Sequence, residues 1–134
     1  MSDSGVVEFY RGRLKLQQVE NLTSLTRWTI DRLIEKGRFP KPIAERPTRL
    51  WSRLDIQNWI AQRCADSGKD TTASRLINLD AVVEATGYHY STIYRRIQKN
   101  RFPAPVRLSS RRVAWIRSEI RDWVHSQIKR ADLL

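Results

Sequence analysis

The sequence predicts a mostly helical chain with short β-hairpins, arranged as two tandem winged helix-turn-helix units. Three observations carry that expectation. A block of residues occurs twice. Each copy runs through two short helical patterns, a hairpin and a third helix. The basic charge is concentrated inside the copies.

The repeat shows as a fixed offset. Arg38-Phe39-Pro40-Lys41-Pro42-Ile43 returns as Arg101-Phe102-Pro103-Ala104-Pro105-Val106, 63 positions later (39 to 102). The same offset pairs Leu16 with Leu79, Val19 with Val82, Thr23 with Thr86, Thr29-Ile30 with Thr92-Ile93, and Arg32 with Arg95. Beyond the prolines the offset is 64 (51 to 115), so that Trp51 pairs with Trp115 and Trp59 with Trp123. A length change marks a loop. The copies span 14–63 and 76–130, and 64–75 is read as a linker around Asp66-Ser67-Gly68-Lys69-Asp70.

The second copy illustrates the elements. Leu79, Val82, Val83 and Thr86 follow helical spacing, and Gly87 turns the chain. Tyr90 to Lys99 forms a second helix with Ile93 and Ile97 inward, ended by Asn100 where the first copy has Gly37. Phe102-Pro103-Ala104-Pro105 breaks helix, and Val106-Arg107-Leu108, Ser109-Ser110 and Arg112-Val113-Ala114-Trp115 read as strand, turn, strand. A third helix begins near Ser118, with Ile120, Trp123, Val124 and Ile128 on one face. In the first copy, Ser52-x-x-Asp55 supplies its capping box.

Composition narrows the function classes. The 134 residues carry 25 Lys and Arg against 14 Asp and Glu, a net charge of +11, which favours a polyanionic partner. The first copy holds ten basic and five acidic residues and the second eleven and four, so the charge belongs to the folded units. Apolar runs fall far short of the ~20 residues of a membrane span. Met1 to Gly5 has no secretory pattern, and a cytoplasmic, nucleoid-associated protein is expected. One cysteine, Cys64, with His89 and His125 cannot make a four-ligand zinc site. No nucleophile, base and orienting acid can be assembled and no glycine-rich phosphate loop occurs, so neither an enzyme, a cofactor nor a small-molecule substrate is expected.

Thr86-Gly87-Tyr88-His89-Tyr90-Ser91-Thr92-Ile93-Tyr94-Arg95-Arg96-Ile97, the Arg-Phe-Pro-Ala-Pro-Val segment, Arg111-Arg112-Val113-Ala114-Trp115 and Ser118-Glu119-Ile120-x-x-Trp123 together resemble the AlpA-type and excisionase-like regulators, relatives of the MerR DNA-binding part. The resemblance covers nearly all of the second copy and most of the first. It implies double-stranded DNA as partner, with transcriptional control in a phage or other integrated element as the role. An excisionase-like factor that bends DNA and recruits integrase is the alternative, so integrase and RNA polymerase are candidate protein partners. An RNA-binding or protein-docking module is a third reading. Members usually have one such domain, so the tandem copy is a departure.

In such a motif the second helix addresses base edges in the major groove. In the second copy Tyr90, Ser91, Tyr94, Arg95 and Gln98 face outward, with Arg95 suited to guanine, and the hairpin adds Arg107, Ser109, Ser110, Arg111 and Arg112 for phosphates or a narrow minor groove. The first copy presents Arg27, Trp28, Asp31, Arg32 and Glu35, with Arg46 and Arg49 in a shorter hairpin containing Glu45 and Pro47. Trp28 suits a DNA contact, packing between the copies or a protein anchor. The acids near Arg32 are expected to offset its attraction for DNA, leaving the second copy the stronger binder. Lys15, Arg38, Arg53, Arg101, Arg117 and Arg121 are isolated surface charges that say little by themselves.

Overall fold

The computed structural model describes residues 12–69 and 75–132. Met1–Gly5 and residues 70–74 of the expected linker lie outside them. The first copy runs β1 (Arg13–Lys15), α1 (Leu16–Thr23), α2 (Arg27–Glu35), β2 (Leu50–Ser52) and α3 (Arg53–Asp66). The second runs β3 (Leu76–Ile77), α4 (Leu79–Thr86), α5 (Tyr90–Gln98), β4 (Val106–Arg107), β5 (Val113–Ile116) and α6 (Arg117–Asp132). The fold is mostly helical with small antiparallel sheets, two winged helix-turn-helix units in tandem.

Equivalent residues make equivalent turns. Ser24 (φ 66°) and Gly87 (φ 73°) close α1 and α4 in the left-handed conformation, as Gly37 (φ 69°) and Asn100 (φ 56°) do after α2 and α5. Thr23 and Thr86 donate their hydroxyls to the carbonyls of Val19 and Val82 and accept the Leu25 and Tyr88 amides, satisfying the corner between the helices. Thr26 and His89 cap the second helices. The indoles of Trp51 and Trp115 donate to the carbonyls of Pro40 and Pro103 (3.0 and 3.1 Å), tying each Phe-Pro segment to its sheet. Phe39 lies 4.8 Å from Trp59, and Phe102 4.7 Å from Trp123. Trp51, Trp59 and Trp115 are buried core residues, and half-buried Trp123 packs against the second copy's core.

The sheets differ. β1 pairs with β2, and the first hairpin is reduced to a single bridge, Ala44 to Leu50. The second sheet has three strands in the order β3-β5-β4, with Val106 opposite Ala114 and Arg107 opposite Val113.

Both faces of this second sheet are covered. Side chains alternate along a strand, so Val113 and Trp115 join the second copy's core, whereas Ala114 and Ile116 turn the other way. There they meet Leu76, Val106 and Leu108 and enter the cluster of Val19, Ile56, Ile60 and Cys64 from the first copy. α1 packs on β3 and α3 on β4. The junction is closed by Lys69 on Glu119 (3.0 Å) and by the Arg107 amide donating to Ser67 Oγ (2.9 Å).

One sequence expectation is corrected by this packing, and one of the three alternatives for Trp28 is removed. Ile128, placed on the buried face of the third helix, is 55% exposed: its counterpart Cys64 is covered by the other copy, and nothing among the described residues covers Ile128. Trp28 is 70% exposed and does not pack between the copies.

Candidate nucleic-acid interface

In the second copy, α5 is anchored by buried Ile93 and half-buried Ile97, leaving Tyr90, Ser91, Tyr94, Arg95 and Gln98 at the surface. Tyr94 sits edge-on 6.2 Å from Trp115 of β5, which fixes the helix against the sheet carrying the hairpin. His89 Nδ1 lies 2.8 Å from Ser91 Oγ, and the His89 ring 4.4 Å from that of Tyr90, so the helix start is already ordered. Among the described residues Arg95 reaches only Thr92 Oγ1 (3.5 Å), leaving most of its guanidinium donors for a ligand. In the hairpin Leu108 is buried and Ser109 half-buried. Arg107, Ser110, Arg111 and Arg112 are exposed and have no carboxylate partner among the described residues.

The first copy is arranged otherwise. Arg49 donates to Asp31 at 2.8 Å, approaches Glu45 at 4.0 Å, and lies 4.7 Å over the Trp51 ring. Its guanidinium is engaged within the fold, as is the carboxylate of Asp31. Arg27 stacks 5.0 Å over Trp28, forming an exposed aromatic and cationic pair at the start of α2, and Arg46 is exposed. Arg32 is exposed, has no ion pair among the described residues, and lines one groove with Lys36 and Arg38 of its own copy and with Ser109, Ser110, Arg111 and Arg112 of the other copy's hairpin. Lys36 was not among the sequence candidates and Arg38 carried little weight there. Only tertiary packing brings them opposite the second hairpin.

Burial pushes the Cys64 thiol up, Glu119 adds to that and Lys69 opposes it, which describes a structural thiol and not a nucleophile. No group of metal-ligating side chains occurs among the described residues, nor any helix long and apolar enough to cross a membrane.

The sequence profile of the family described as prophage CP4-57 regulatory protein (AlpA) matches this chain twice, over residues 12–64 and 75–128. The chain belongs to the AlpA family. Each match begins at the first strand of a copy and ends within its third helix, so one family unit corresponds to one winged helix-turn-helix. The family is regulatory, not catalytic. Over 59 residues the chain is 37% identical to an uncharacterized protein, ORF88, of Enterobacteria phage P4, covering 44% of this chain and 67% of that protein. No solved structure matches the chain.

Proposed function

We propose that this AlpA-family chain is a sequence-specific double-stranded DNA-binding regulator of a phage or integrated element, in which the second copy supplies most of the base reading. The observation that carries this reading is the pairing of Arg95, on the exposed face of α5 and without a carboxylate partner among the described residues, with a hairpin bearing Arg107, Arg111 and Arg112, all held on one sheet through Tyr94 and Trp115. A bidentate arginine on a helix face discriminates guanine in the major groove, and unpaired arginines on a wing neutralise phosphates. The family's designation as a regulatory protein favours transcriptional control over excision. In this reading the two family-matched segments act as two units on one duplex.

The test is binding selection from random duplexes by the full chain, followed by titration of the selected site at fixed ionic strength. A defined site bound at least about 10³-fold tighter than random duplex is expected. Equal affinity for all duplexes, or a preference for single strands or RNA, would overturn the proposal.

A further inference from the structure

The groove between α2 and the β4–β5 hairpin has a volume of about 530 Å3 and is lined by Thr29, Arg32, Leu33, Lys36 and Arg38 from the first copy and Ser109 to Arg112 from the second. Five cationic side chains, Arg32, Lys36, Arg38, Arg111 and Arg112, meet there, and no carboxylate lines it. None of the five is in an ion pair among the described residues, although Glu35 lies on the same helix; Asp31 is held by Arg49. A cleft walled by protein and lined by one sign of charge focuses its field into the opening and concentrates counter-ions. The serine and threonine hydroxyls of the lining add neutral donors suited to phosphate oxygens.

The walls of the groove are anchored in the same core as the junction. Leu108, beside the hairpin tip, is buried in the cluster that holds Leu33 of α2, so the two walls are fixed by one core. Neither copy forms the site alone. The first copy's own hairpin cannot replace it, since Arg49 there is committed to Asp31 and Trp51.

We propose that this groove is a composite phosphate-binding site, in which α2 of the first copy and the wing of the second grip the same stretch of phosphodiester backbone. It rests on the reading of the chain as a duplex binder and adds a division of labour: the first copy's helix acts here as one jaw of a backbone clamp and not as an independent base reader. Its preferred ligand is a phosphodiester chain of duplex DNA, and the chemistry is shared by free phosphate.

The experiment is a double-mutant cycle on the full chain, with Arg32→Gln/Lys36→Gln as one change, Arg111→Gln/Arg112→Gln as the other, and the two combined. Duplex binding is titrated by fluorescence anisotropy over a series of salt concentrations. All four side chains are exposed, and thermal melts verify that each variant is folded. Each pair should lower the log–log salt slope by up to about 2, at roughly 0.9 per phosphate contact. The combined loss should be at least about threefold smaller than the product of the separate losses, because once one jaw is gone the other no longer holds the same phosphates. Multiplicative losses, or a slope unchanged by the α2 pair, overturn the clamp and leave duplex binding standing. Should the wild-type chain bind no duplex even at low salt, the functional reading fails and inorganic phosphate decides the groove. Saturable amide shifts at Ser110 and Arg111 that vanish in Arg32→Gln/Lys36→Gln retain it, and their absence overturns it.

Discussion

Arginines of one type hold three different positions in this molecule, and their surroundings set what each contributes. Among the described residues Arg95 bonds only to Thr92, Arg49 is bound to Asp31 and stacked on Trp51, and Arg32 faces a cationic groove. Losing a bidentate base contact costs about 1 to 3 kcal/mol, so Arg95→Ala should weaken the preferred site tenfold or more and flatten discrimination among sites. Arg32→Ala should weaken all duplexes alike and reduce the salt slope. Arg49→Ala should leave selectivity intact and lower stability by about 1 kcal/mol, from the lost ring contact and ion pair. The three variants, titrated against preferred and random duplexes at one ionic strength, separate these outcomes. A selective loss at Arg32 equal to that at Arg95 would show both helices reading bases. The sequence suggested that acids beside Arg32 blunt its attraction; the structure removes half of that argument by giving Asp31 to Arg49.

At the scale of elements, the turn between the first two helices is one geometry built from two residue types. Ser24 and Gly87 both adopt positive φ at the end of their helices, a conformation strained for any residue with a Cβ. A Cβ built on Gly87 meets nothing within 4 Å, so Gly87→Ala tests the backbone alone. It should destabilise by about 1 kcal/mol, and Ser24→Gly should stabilise by a similar or smaller amount. Chemical denaturation of both variants measures the pair. Opposite signs are expected, and a stabilising Gly87→Ala would show that the turn has another conformation open to it. The turn at Gly87, the Ser52 cap and the position of the second hairpin were legible because they depend on residues close in sequence, whereas the cap that His89 supplies to α5 and the pairing register of the hairpin were not. The first hairpin was less so: Glu45-Arg46-Pro47 reads as a short wing, and the structure keeps only one bridge of it.

For the whole molecule, the second sheet decides the assembly. Leu76 and Ile116 stand where the first copy has Arg13 and Ser52, and Val106 is fully buried where Ile43 is 52% exposed. One sheet therefore covers two cores, and unfolding either copy exposes apolar surface of the other. The full chain should melt in a single calorimetric transition, with Cys64 resistant to thiol reagents at neutral pH because it is buried and its pKa is raised. Replacing Leu76→Arg and Ile116→Ser, which copies the first unit's residues into the second, should separate the transitions and expose Cys64 to labelling. Truncating a buried leucine alone costs about 2 to 5 kcal/mol, enough to uncouple units that meet on one sheet. Two transitions in the unaltered chain, or rapid labelling of its Cys64, would contradict a shared core.

The sequence by itself determined the tandem repeat, the order of the helices and hairpin in each copy, the aromatic core positions and the arginines of the second wing, but not the short strand that opens each copy. Each of these is written in short-range periodicity or in a self-comparison at one offset. Tertiary structure alone decided which faces of the copies meet, that Arg49 is committed internally, and that Lys36 and Arg38 stand opposite Arg111 and Arg112. A trace of the first decision was present in Leu76 and Ile116, apolar where the other copy is polar, but an apolar residue in a two-residue strand does not say what covers it. The partner is set by packing between residues some forty or more positions apart, Ser67 with Arg107 and Lys69 with Glu119, where no local pattern reaches.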